Sequence, residues 1–403
     1  MKPASNGVLE DMWARHSAEW RSTAQIASQW REAAGVDPRL LEHRVRGPWW
    51  QLLERLRLTL FVTREYEHLV LAFSARGGKK RTSFLPLPHP SGLVVDRPRA
   101  TMHIASTRNP NQIFTFRPVT TLERRADLRS GAKVADRPML ATNTTFFPGS
   151  LYMHDLAMIG GRLHANAVGQ NAIVALTGDG RYRRVWWPRG IERTPGRPDF
   201  GRNYLQLNSI GAGPTVKESF FSASAPAPGR RRPGDLDFPV DARGVIFSGR
   251  TREPICVGLT RPHSVRLHRG RVWVDNSGYG ELGYVQRGRL RMVARLPGWT
   301  RGLCFAGDVA FVGTSRLIPK YARYAPGLKP ADAVCGVHAI DVRTGRSLAS
   351  VEWPSGNQIF AVDWIDARAS GGFLSVPFRN SQEREKTVFY AYDPEPVRKR
   401  SRP

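Results

Sequence analysis

The sequence predicts an all-β fold, a single β-propeller over residues 49–395 preceded by a short helical segment. Two observations predict it. A strand-turn-strand segment recurs along the chain, and short apolar strands separated by turn residues fill the sequence after residue 49. A single pair of strands cannot bury both of its faces, whereas several pairs stacked radially around a channel bury the faces of all the pairs. The available length favours six four-stranded blades, with seven as the alternative.

The repeat is clearest in three segments that align without a gap. They begin at His154, His263 and Arg301 and read HDLAMIGGRLHANA, HSVRLHRGRVWVDNS and RGLCFAGDVAFVGTS. In each copy a strand of about five residues enters a tight turn with glycine, and a second strand follows. A fourth copy, SGLVVDRPRATMHIAST, begins at Ser91 with a longer turn, and a degenerate copy covers residues 359–376.

The segments outside the repeat differ in composition. Residues 1–48 space apolar and aromatic side chains among charges, which predicts one or two amphipathic helices packed on the main domain. Residues 199–234 include the stretch SASAPAPGRRRPG and predict a long inserted loop, of which we expect the first half to be ordered and functional. Residues 396–403 predict a basic disordered tail.

Charge and cysteine content narrow the function classes. The net charge of +27 comes mostly from arginines spread along the chain without a nucleic-acid-binding motif, so we expect an anionic small molecule rather than nucleic acid. Cys256, Cys304 and Cys335 form no CxxC pair, which predicts buried thiols. The sequence has no secretory h-region and no apolar run of about 18 residues, so we expect a cytoplasmic protein without a membrane partner. The oligomeric state stays open.

Several phrases resemble a bacterial conserved-hypothetical family that is named only as a domain of unknown function and is itself expected to be a propeller. They are LPLPHPSGLVVD, STRNPNQIF, HANAVGQNA, RNYLQLNS, RPHSVRLHRGRVWVDNSGYGE, LPGWTRGL and GNQIFAVDW. More distantly, PSGLVVD followed by NQI resembles NHL and SMP-30/gluconolactonase-type propellers. That resemblance implies a metal near the axis, although the acidic and Asn ligands typical of gluconolactonases are not matched here.

Histidines at the strand starts predict a metal site. Innermost strands begin at the mouth of the central channel, so equivalent positions of different blades converge there. His154, His263 and Arg301 share that position, and His89 lies two residues before the corresponding Ser91. Three neutral imidazoles can bind Zn, Fe(II), Cu or Ni and leave a coordination position open. We therefore expect His89, His154 and His263 to hold a divalent transition metal; the alternative is that they cap strand ends.

Further candidates come from the ends of the second strands and from residues 199–234. Arg301 is suited to clamp a carboxylate or phosphate, and Asp275 to act as a general base or to orient His263. We expect substrate contacts from Asn109, Asn111, Asn166, Arg202, Asn203, Asn276 and Tyr279. The alternative is that Asn and Asp end these strands because they form turns.

Together these features predict a metal-dependent enzyme, an oxidoreductase, lyase or hydrolase, that acts on a small polar or peptide-like anionic substrate at the channel mouth. The alternative is a non-catalytic propeller that binds a ligand or protein on its rim. That function would use exposed aromatic residues such as Trp186 and Trp187 together with residues 199–234. No GxSxG, Walker or dinucleotide-binding motif is present.

Overall fold

The structure is a computed structural model that describes residues 33, 35–107, 111–123, 125–127, 134–318, 322–379 and 382–393. Most of the helical segment predicted for residues 1–48, and the tail predicted for residues 396–403, lie outside these residues. The described part of residues 1–48 includes a 3-10 turn at Pro38–Leu40 and a short strand.

Short strands make up most of the described chain. The strands are β1 Arg44–Arg46, β2 Leu58–Arg64, β3 Leu69–Arg76, β4 Lys79–Pro86, β5 Pro90–Asp96, β6 Thr101–Ser106, β7 Asn111–Pro118, β8 Met139–Phe147, β9 Met153–Ile159, β10 Arg162–Ala167, β11 Ala172–Leu176, β12 Tyr182–Trp186, β13 Glu192–Thr194, β14 Arg197–Pro198, β15 Leu207–Gly211, β16 Phe220–Ala223, β17 Gly244–Ser248, β18 Pro254–Leu259, β19 Pro262–His268, β20 Arg271–Asn276, β21 Glu281–Gln286, β22 Arg289–Arg295, β23 Trp299–Ala306, β24 Val309–Ser315, β25 Cys335–Asp341, β26 Ser347–Trp353 and β27 Ala361–Asp366. The α-helices whose bounds lie within the described residues are α1 Trp49–Leu56 and α2 Gln382–Ala391. Neither helix has the length or the apolar content of a bilayer span.

All strands except β13 and β14, which pair with each other, form six antiparallel blades. This confirms the predicted propeller and the favoured blade number. From the axis outwards, blade 1 contains β27, β2, β3 and β4, blade 2 contains β5 to β8, and blade 3 contains β9 to β12. Blade 4 contains β15 to β18, blade 5 contains β19 to β22, and blade 6 contains β23 to β26 with β1 as a fifth, outer strand. The inner strands β27, β5, β9, β15, β19 and β23 contact one another in turn around the axis.

Blade 1 closes the ring by joining the two ends of the propeller. Its inner strand β27 pairs with β2 from Leu58↔Asp366 to Thr63↔Ala361, so the last strand of the ring is fixed to the first. The degenerate repeat copy at residues 359–376 therefore supplies only one strand. Its second half does not form the expected hairpin, because β2 already occupies the place of the second strand.

The prediction of one inserted loop at residues 199–234 is wrong. This segment contains β15 and β16, the two inner strands of blade 4. The repeat was hidden in the sequence because residues 212–219, and not a tight glycine turn, connect the two strands. The N-terminal boundary also moves, since β1 adds to blade 6 before residue 49.

Helix α1 covers the seam between blades 1 and 6. It buries Trp49, Leu52 and Leu53, and the Trp49 ring makes edge contacts with Phe73 of blade 1 and Phe311 of blade 6 at centroid distances of 6.2 and 5.9 Å. Aromatic pairs in this geometry stabilise a core beyond the area that they bury. The helix thus seals the place where the two chain ends meet.

Buried polar side chains connect every blade to the inner strand region of the next, and we call this set the hydrogen-bond ring. Its bonds run from Thr63 Oγ1 to Ser91 O (2.8 Å), Ser91 Oγ to Met153 O (3.0 Å), Asn166 Nδ2 to Leu207 O (2.7 Å), Asn208 Nδ2 to Pro262 O (3.1 Å), Ser277 Oγ to Thr300 O (2.6 Å) and Ser315 Oγ to Ile359 O (3.1 Å). All six donors are buried. Each bond stabilises by about 1 kcal/mol, and a carbonyl left unpaired there costs more.

A substitution of Asn166 tests how much the hydrogen-bond ring contributes to the stability of the fold. Its Oδ1 accepts from the backbone N–H groups of His154 (2.9 Å) and Asp155 (2.6 Å), while its Nδ2 binds the next blade. Asn166→Ala should lower the free energy of unfolding by about 1–3 kcal/mol, because it leaves buried backbone groups unpaired. Urea denaturation measures this. Exposed Asn143 is the matched control, and an equal effect of Asn143→Ala would show that the ring contributes nothing special.

Candidate functional site

A small cavity lies on the propeller axis where the inner strands begin. Five blades each line it with two consecutive residues, and we call it the axial cavity. The leading residues are His154, Asn208, His263, Arg301 and Phe360, and the following residues are Asp155, Ser209, Ser264, Gly302 and Ala361. Arg266 also lines it. The space between these side chains is about 10 Å³, which is about the room that one water needs.

Bulges at the strand starts aim these side chains at the axis. The pairing of β19 with β20 shifts register between His263 and Arg266, and that of β23 with β24 shifts between Thr300 and Leu303. Inner strands β5 and β15 show register shifts near their starts as well. A bulge places an extra residue opposite its partner strand and re-aims the side chains beside it.

The two histidines of the axial cavity are neutral bases. Both are buried, and burial together with the positive charge of Arg301 lowers the pKa of His154 and of His263 well below 6.5. The Nδ1 of His263 lies 2.9 Å from the carbonyl oxygen of Arg261, which can only accept a hydrogen bond. His263 therefore carries its proton on Nδ1, which leaves Nε2 as the acceptor.

The opposite side of the cavity has unsatisfied polar atoms. Among the described residues, neither His154 Nδ1 nor Asn208 Oδ1 makes a hydrogen bond of normal geometry, although both atoms are buried and the Asn208 side chain lies close enough to His154 to act on its pKa. The guanidinium of Arg301 stacks on the Phe360 ring at 3.4 Å, and His154 meets the same ring edge-on at 5.7 Å. Buried polar atoms of this kind are normally paired, so a water or a ligand group is expected between them.

An ion pair forms the floor of the cavity. Arg266 donates to both carboxylate oxygens of Asp155, at 2.8 and 3.2 Å, and also to the backbone oxygens of Ile210 and Val265. Asp155 in turn accepts from the backbone N–H of Ile210 at 2.9 Å. The only carboxylate that lines the cavity among the described residues is therefore neutralised within the protein.

The residues of this site do not fit the predicted metal. Nowhere in the described ranges do three His, Cys, Asp or Glu side chains converge as a metal ion requires. His89 does not line the axial cavity and packs against His68 at a ring centroid distance of 4.2 Å. Ser91, the second residue of inner strand β5, donates from its hydroxyl group to the backbone oxygens of Ala105 and Met153. The cation of Arg301 beside His154 and His263 would also repel a metal ion.

Asp275 lies behind the cavity wall. It is fully buried and pairs with His263 in the β19–β20 register. Burial raises the pKa of its carboxyl group well above 3.8, which favours the protonated form. Burial therefore opposes the ionised form that a general base needs, and a general base was one of the roles expected from the sequence.

Those predicted substrate-contacting amides that the structure describes lie outside the lining of the axial cavity. Asn166 belongs to the hydrogen-bond ring, and Asn109 lies outside the described residues. Asn111 Nδ2 donates to the backbone oxygen of Phe147 at 3.2 Å. Asn276 Oδ1 accepts from the N–H of Thr260 at 2.7 Å, so these amides hold strand ends and loops together.

The remaining predicted contacts are also placed away from the cavity. Asn203 Oδ1 accepts from the backbone N–H of Gln206 at 2.9 Å, and the Tyr279 hydroxyl bonds to the Asp241 carboxylate. The carbonyl of Arg202 accepts from Asn171 Nδ2 at 2.6 Å. The structure therefore brings His154, His263 and Arg301 together but separates them from the six described side chains that were predicted to contact substrate.

The sequence did not point to Asn208, Ser209, Ser264, Arg266 or Phe360. Asn208 and Ser209 were missed because the inner strands of blade 4 were predicted to be part of a loop. The signal was present, because NSI at residues 208–210 reads like HSV at residues 263–265, with a polar, a small and an apolar residue in order. Trp186, predicted to be exposed on the rim, is 3% exposed, and its Nε1 donates to the oxygen of Gly249 at 3.2 Å.

A protein-family model described as "Domain of unknown function (DUF4915)" matches residues 47–371. The chain belongs to this family. The match confirms the resemblance seen in the sequence, and it covers all six blades from α1 to just beyond β27. No curated protein matches the sequence.

Solved propellers resemble this DUF4915 chain only distantly. A protein of unknown function from Bacteroides caccae is 12% identical, with a TM-score of 0.46 over 77% of this chain and 99% of that one. A gluconolactonase from Xanthomonas campestris is 13% identical, with a TM-score of 0.43 over 74% and 86%. Virginiamycin B lyase from Staphylococcus aureus is 11% identical, with a TM-score of 0.38 over 77% and 99%. Similarity at this level carries no information on activity.

A substitution of Asp155 tests how much the Asp155–Arg266 ion pair contributes to stability. Asp155→Asn should lower the free energy of unfolding by about 3–5 kcal/mol, because it leaves the Arg266 cation buried without its counter-ion. Thermal and urea denaturation measure the loss. Asp179→Asn breaks an exposed pair with Arg181 and should change neither curve. Equal behaviour of the two variants would contradict a structural role for the Asp155–Arg266 pair.

Proposed function

We propose that this DUF4915 protein is an enzyme that binds a small organic anion at the axial cavity and transfers a proton without a metal. The observation that carries the proposal is the pair of buried neutral imidazoles, His154 and His263, beside the cation of Arg301. General bases work best when they are unprotonated at the working pH and lie within reach of the reacting group.

Arg301 is the group that selects the anion. A guanidinium in a partly dehydrated cavity binds a carboxylate more strongly than it would in water, and its planar fork fixes the orientation of the carboxylate. The stacking of Arg301 on Phe360 holds the guanidinium plane in place. His154 Nδ1 and Asn208 Oδ1, which make no hydrogen bond of normal geometry among the described residues, offer further positions for polar groups of the ligand.

His263 is the base. Its Nδ1 is engaged by the Arg261 carbonyl, so the proton of a substrate or of a water would go to Nε2. The imidazolium that forms is stabilised by the same carbonyl. Abstraction of a C–H proton leads to elimination or isomerisation, and abstraction from water leads to hydrolysis. The arrangement therefore supports lyase or hydrolase chemistry.

The size of the axial cavity limits what enters it. A free volume of about 10 Å³ admits a group about as large as one water, such as a carboxylate oxygen, between the leading side chains. The rest of a ligand would lie on the mouth side of the ring. A small carboxylate with its acidic C–H or labile bond close to the carboxyl group fits this limit best.

Binding and proton transfer can be measured separately. Acetate, succinate and malate are the probes, and their uncharged amides are the controls. Calorimetry should show that Arg301→Met weakens carboxylate binding by about 10-fold or more, because a charge-assisted bond is lost. Proton NMR in D₂O should show exchange of C–H protons next to the carboxyl group in the wild type, reduced by about 10²-fold or more in His263→Gln.

Arg291→Met replaces an exposed arginine of β22 and should change neither measurement. The proposal fails if none of the carboxylates binds. It also fails if His263→Gln exchanges the probes as fast as the wild type does.

The neutral histidines also predict how stability depends on pH. In the unfolded chain both pKa values return to about 6.5, so below that pH the unfolded state binds more protons than the folded state. The free energy of unfolding should be constant above about pH 6.5 and fall at lower pH, by up to about 1.4 kcal/mol per pH unit and histidine.

Urea denaturation at neutral pH and one unit or more below pH 6.5 should show a smaller fall for His263→Gln than for the wild type. His268→Gln is the control, because His268 is less buried and its contribution is smaller. An unchanged pH dependence in His263→Gln would mean that folding does not lower the pKa of His263.

A further inference from the structure

A second cavity lies between helix α2 and the outer strands of blades 1 and 2, and we call it the α2 groove. Its volume is about 580 Å³, which is within the range of small-molecule binding sites. It is lined by side chains of β4, β7, β8 and α2 and by residues 373–375. None of these residues lines the axial cavity. The α2 groove is therefore separate from the site of the proposed function.

Most of the lining is apolar. Phe116 of β7 and Phe373 are buried, and their rings form a T-shaped contact at a centroid distance of 6.2 Å. Met139 of β8 is buried as well, and half-buried Phe84 and Leu85 of β4 add further apolar surface. A cavity of this composition favours an apolar ligand, because each apolar group that leaves water for it stabilises the complex.

Helix α2 is a fixed wall of the groove. Its Val388 and Ala391 are buried. Arg384 donates to both carboxylate oxygens of Asp136, at 2.6 and 2.7 Å. The backbone oxygen of Ala391 accepts from the N–H of Glu123 at 2.8 Å. Since these contacts hold α2 near both of its ends, the groove is part of the folded structure and not a gap beside a loose helix.

A different stripe of α2 faces the groove. Its residues occupy positions i, i+3, i+4 and i+7, which form one face of a helix. They are Gln382, Glu385, Lys386 and Phe389. Phe389 is 62% exposed, so its ring offers area that a ligand can bury. The helix therefore presents one aromatic ring and three polar side chains to the cavity.

The groove is polar at one end and apolar at the other. The three polar residues of the stripe precede Phe389 along α2, and one of them, Glu385, accepts from the hydroxyl of Ser375 at 2.5 Å. Next to Phe389, Val388 belongs to the same hydrophobic cluster as Leu140 and Leu374, which also line the groove. A ligand that matches both ends has a polar head and an apolar chain.

The length of the lining stripe limits the chain. Gln382 and Phe389 are seven residues apart, which at a rise of about 1.5 Å per residue corresponds to about 10 Å, or about eight methylene groups of an extended chain. A ligand with a chain of about eight carbons therefore spans the groove from its polar to its apolar end.

Lys386 determines the charge of the head group. It is the one cation in the lining among the described residues, and it is exposed at the helix surface. The one carboxylate in the described lining, that of Glu385, already accepts from the Ser375 hydroxyl. A carboxylate head therefore matches this end best, since its single charge balances the one ammonium group.

We propose that the α2 groove is a binding site for a medium-chain carboxylate. The head group of this ligand pairs with Lys386, and its chain of about eight carbons packs against Phe389 and the apolar side chains of β4, β7 and β8. The site is independent of the axial cavity and of the function proposed for it.

A series of straight-chain carboxylates measures the length of the groove. Calorimetry with butanoate, hexanoate, octanoate, decanoate and dodecanoate should show an affinity that rises about threefold to fourfold per methylene group up to octanoate, because each group leaves water. The rise should stop at about ten carbons, where the chain extends beyond the groove. Equal affinities, no binding at all, or a rise that continues unchanged to dodecanoate would overturn the proposal.

The head group is tested with molecules of equal chain length. Octanoate should bind about threefold or more tightly than octanol, and Lys386→Gln should remove this difference without changing the affinity for octanol. Lys80→Gln replaces an exposed lysine of β4 outside the groove and should retain the difference. The proposal fails if Lys386→Gln retains it too, or if octylamine binds more tightly than octanoate.

Two substitutions test the walls of the groove. Phe389→Ser should weaken octanoate binding by about 10-fold or more, and Ala141→Trp should abolish it, because the larger ring fills the groove from exposed Ala141 of β8. Tyr390→Ser is the matched control, since Tyr390 is 55% exposed and does not line the groove. Thermal denaturation checks that the variants are folded. Equal losses in Phe389→Ser and Tyr390→Ser would contradict the proposal.

Other sites and other occupants give different results. Carboxylates are also the ligands proposed for the axial cavity, so each titration is repeated in Arg301→Met, where octanoate binding should be unchanged. Octanoate binding that Arg301→Met removes would belong to the axial cavity and would refute the groove site. A dimer in sedimentation analysis that Phe389→Ser dissociates would show that a second copy of the chain fills the groove, and would refute it as well. Octanoate binding in Arg301→Met supports the groove site whether or not the function proposed for the axial cavity holds.

Discussion

The inner strands all begin at one end of the axis, and the backbone groups at these starts must be paired where little water reaches them. Regular hydrogen bonding between strands cannot pair all of these backbone groups, because bulges interrupt the pairing of the inner strand with the second strand. Polar side chains from neighbouring blades take over, from Thr63 in blade 1 to Ser315 in blade 6. Since each bond joins one blade to the next, the same contacts fix the angles between blades and the positions of the axial side chains.

The sequence predicted the fold because four inner hairpins share a short turn and a common register. That register also placed His154, His263 and Arg301 at equivalent positions, and the structure groups them around one cavity. His89 lies two residues outside the register, and this offset is enough to bring it against His68 instead of the axis. The spacing of residues along the repeat thus showed which side chains lie at the axis wherever a short turn joins the two inner strands of a blade.

The sequence did not show in the same way which polar side chains are buried or which partners they bind. Aspartates at residues 155 and 275 look alike in the sequence, yet one is held by Arg266 and the other has no hydrogen-bond partner within the described residues. The partner of Asp155 comes from a different blade, and no local pattern specifies such a contact. The many arginines of the sequence did not show which of them lie at the axis, since many bind nearby surface aspartates, as Arg181 and Arg368 do. Only the structure distinguishes these surface arginines from the arginines at the axis.

The pairing of β27 with β2 has a consequence for synthesis of the chain. The outer three strands of blade 1 are made before any other blade is complete, and its inner strand is complete only after residue 366 has been made. Until then β2 presents an open edge on a largely apolar strand, the type of surface that pairs with other chains. Contacts of such long sequence separation also form slowly. Completion of the ring is therefore a late event in biogenesis, and the nascent protein depends on protection of that edge during the interval.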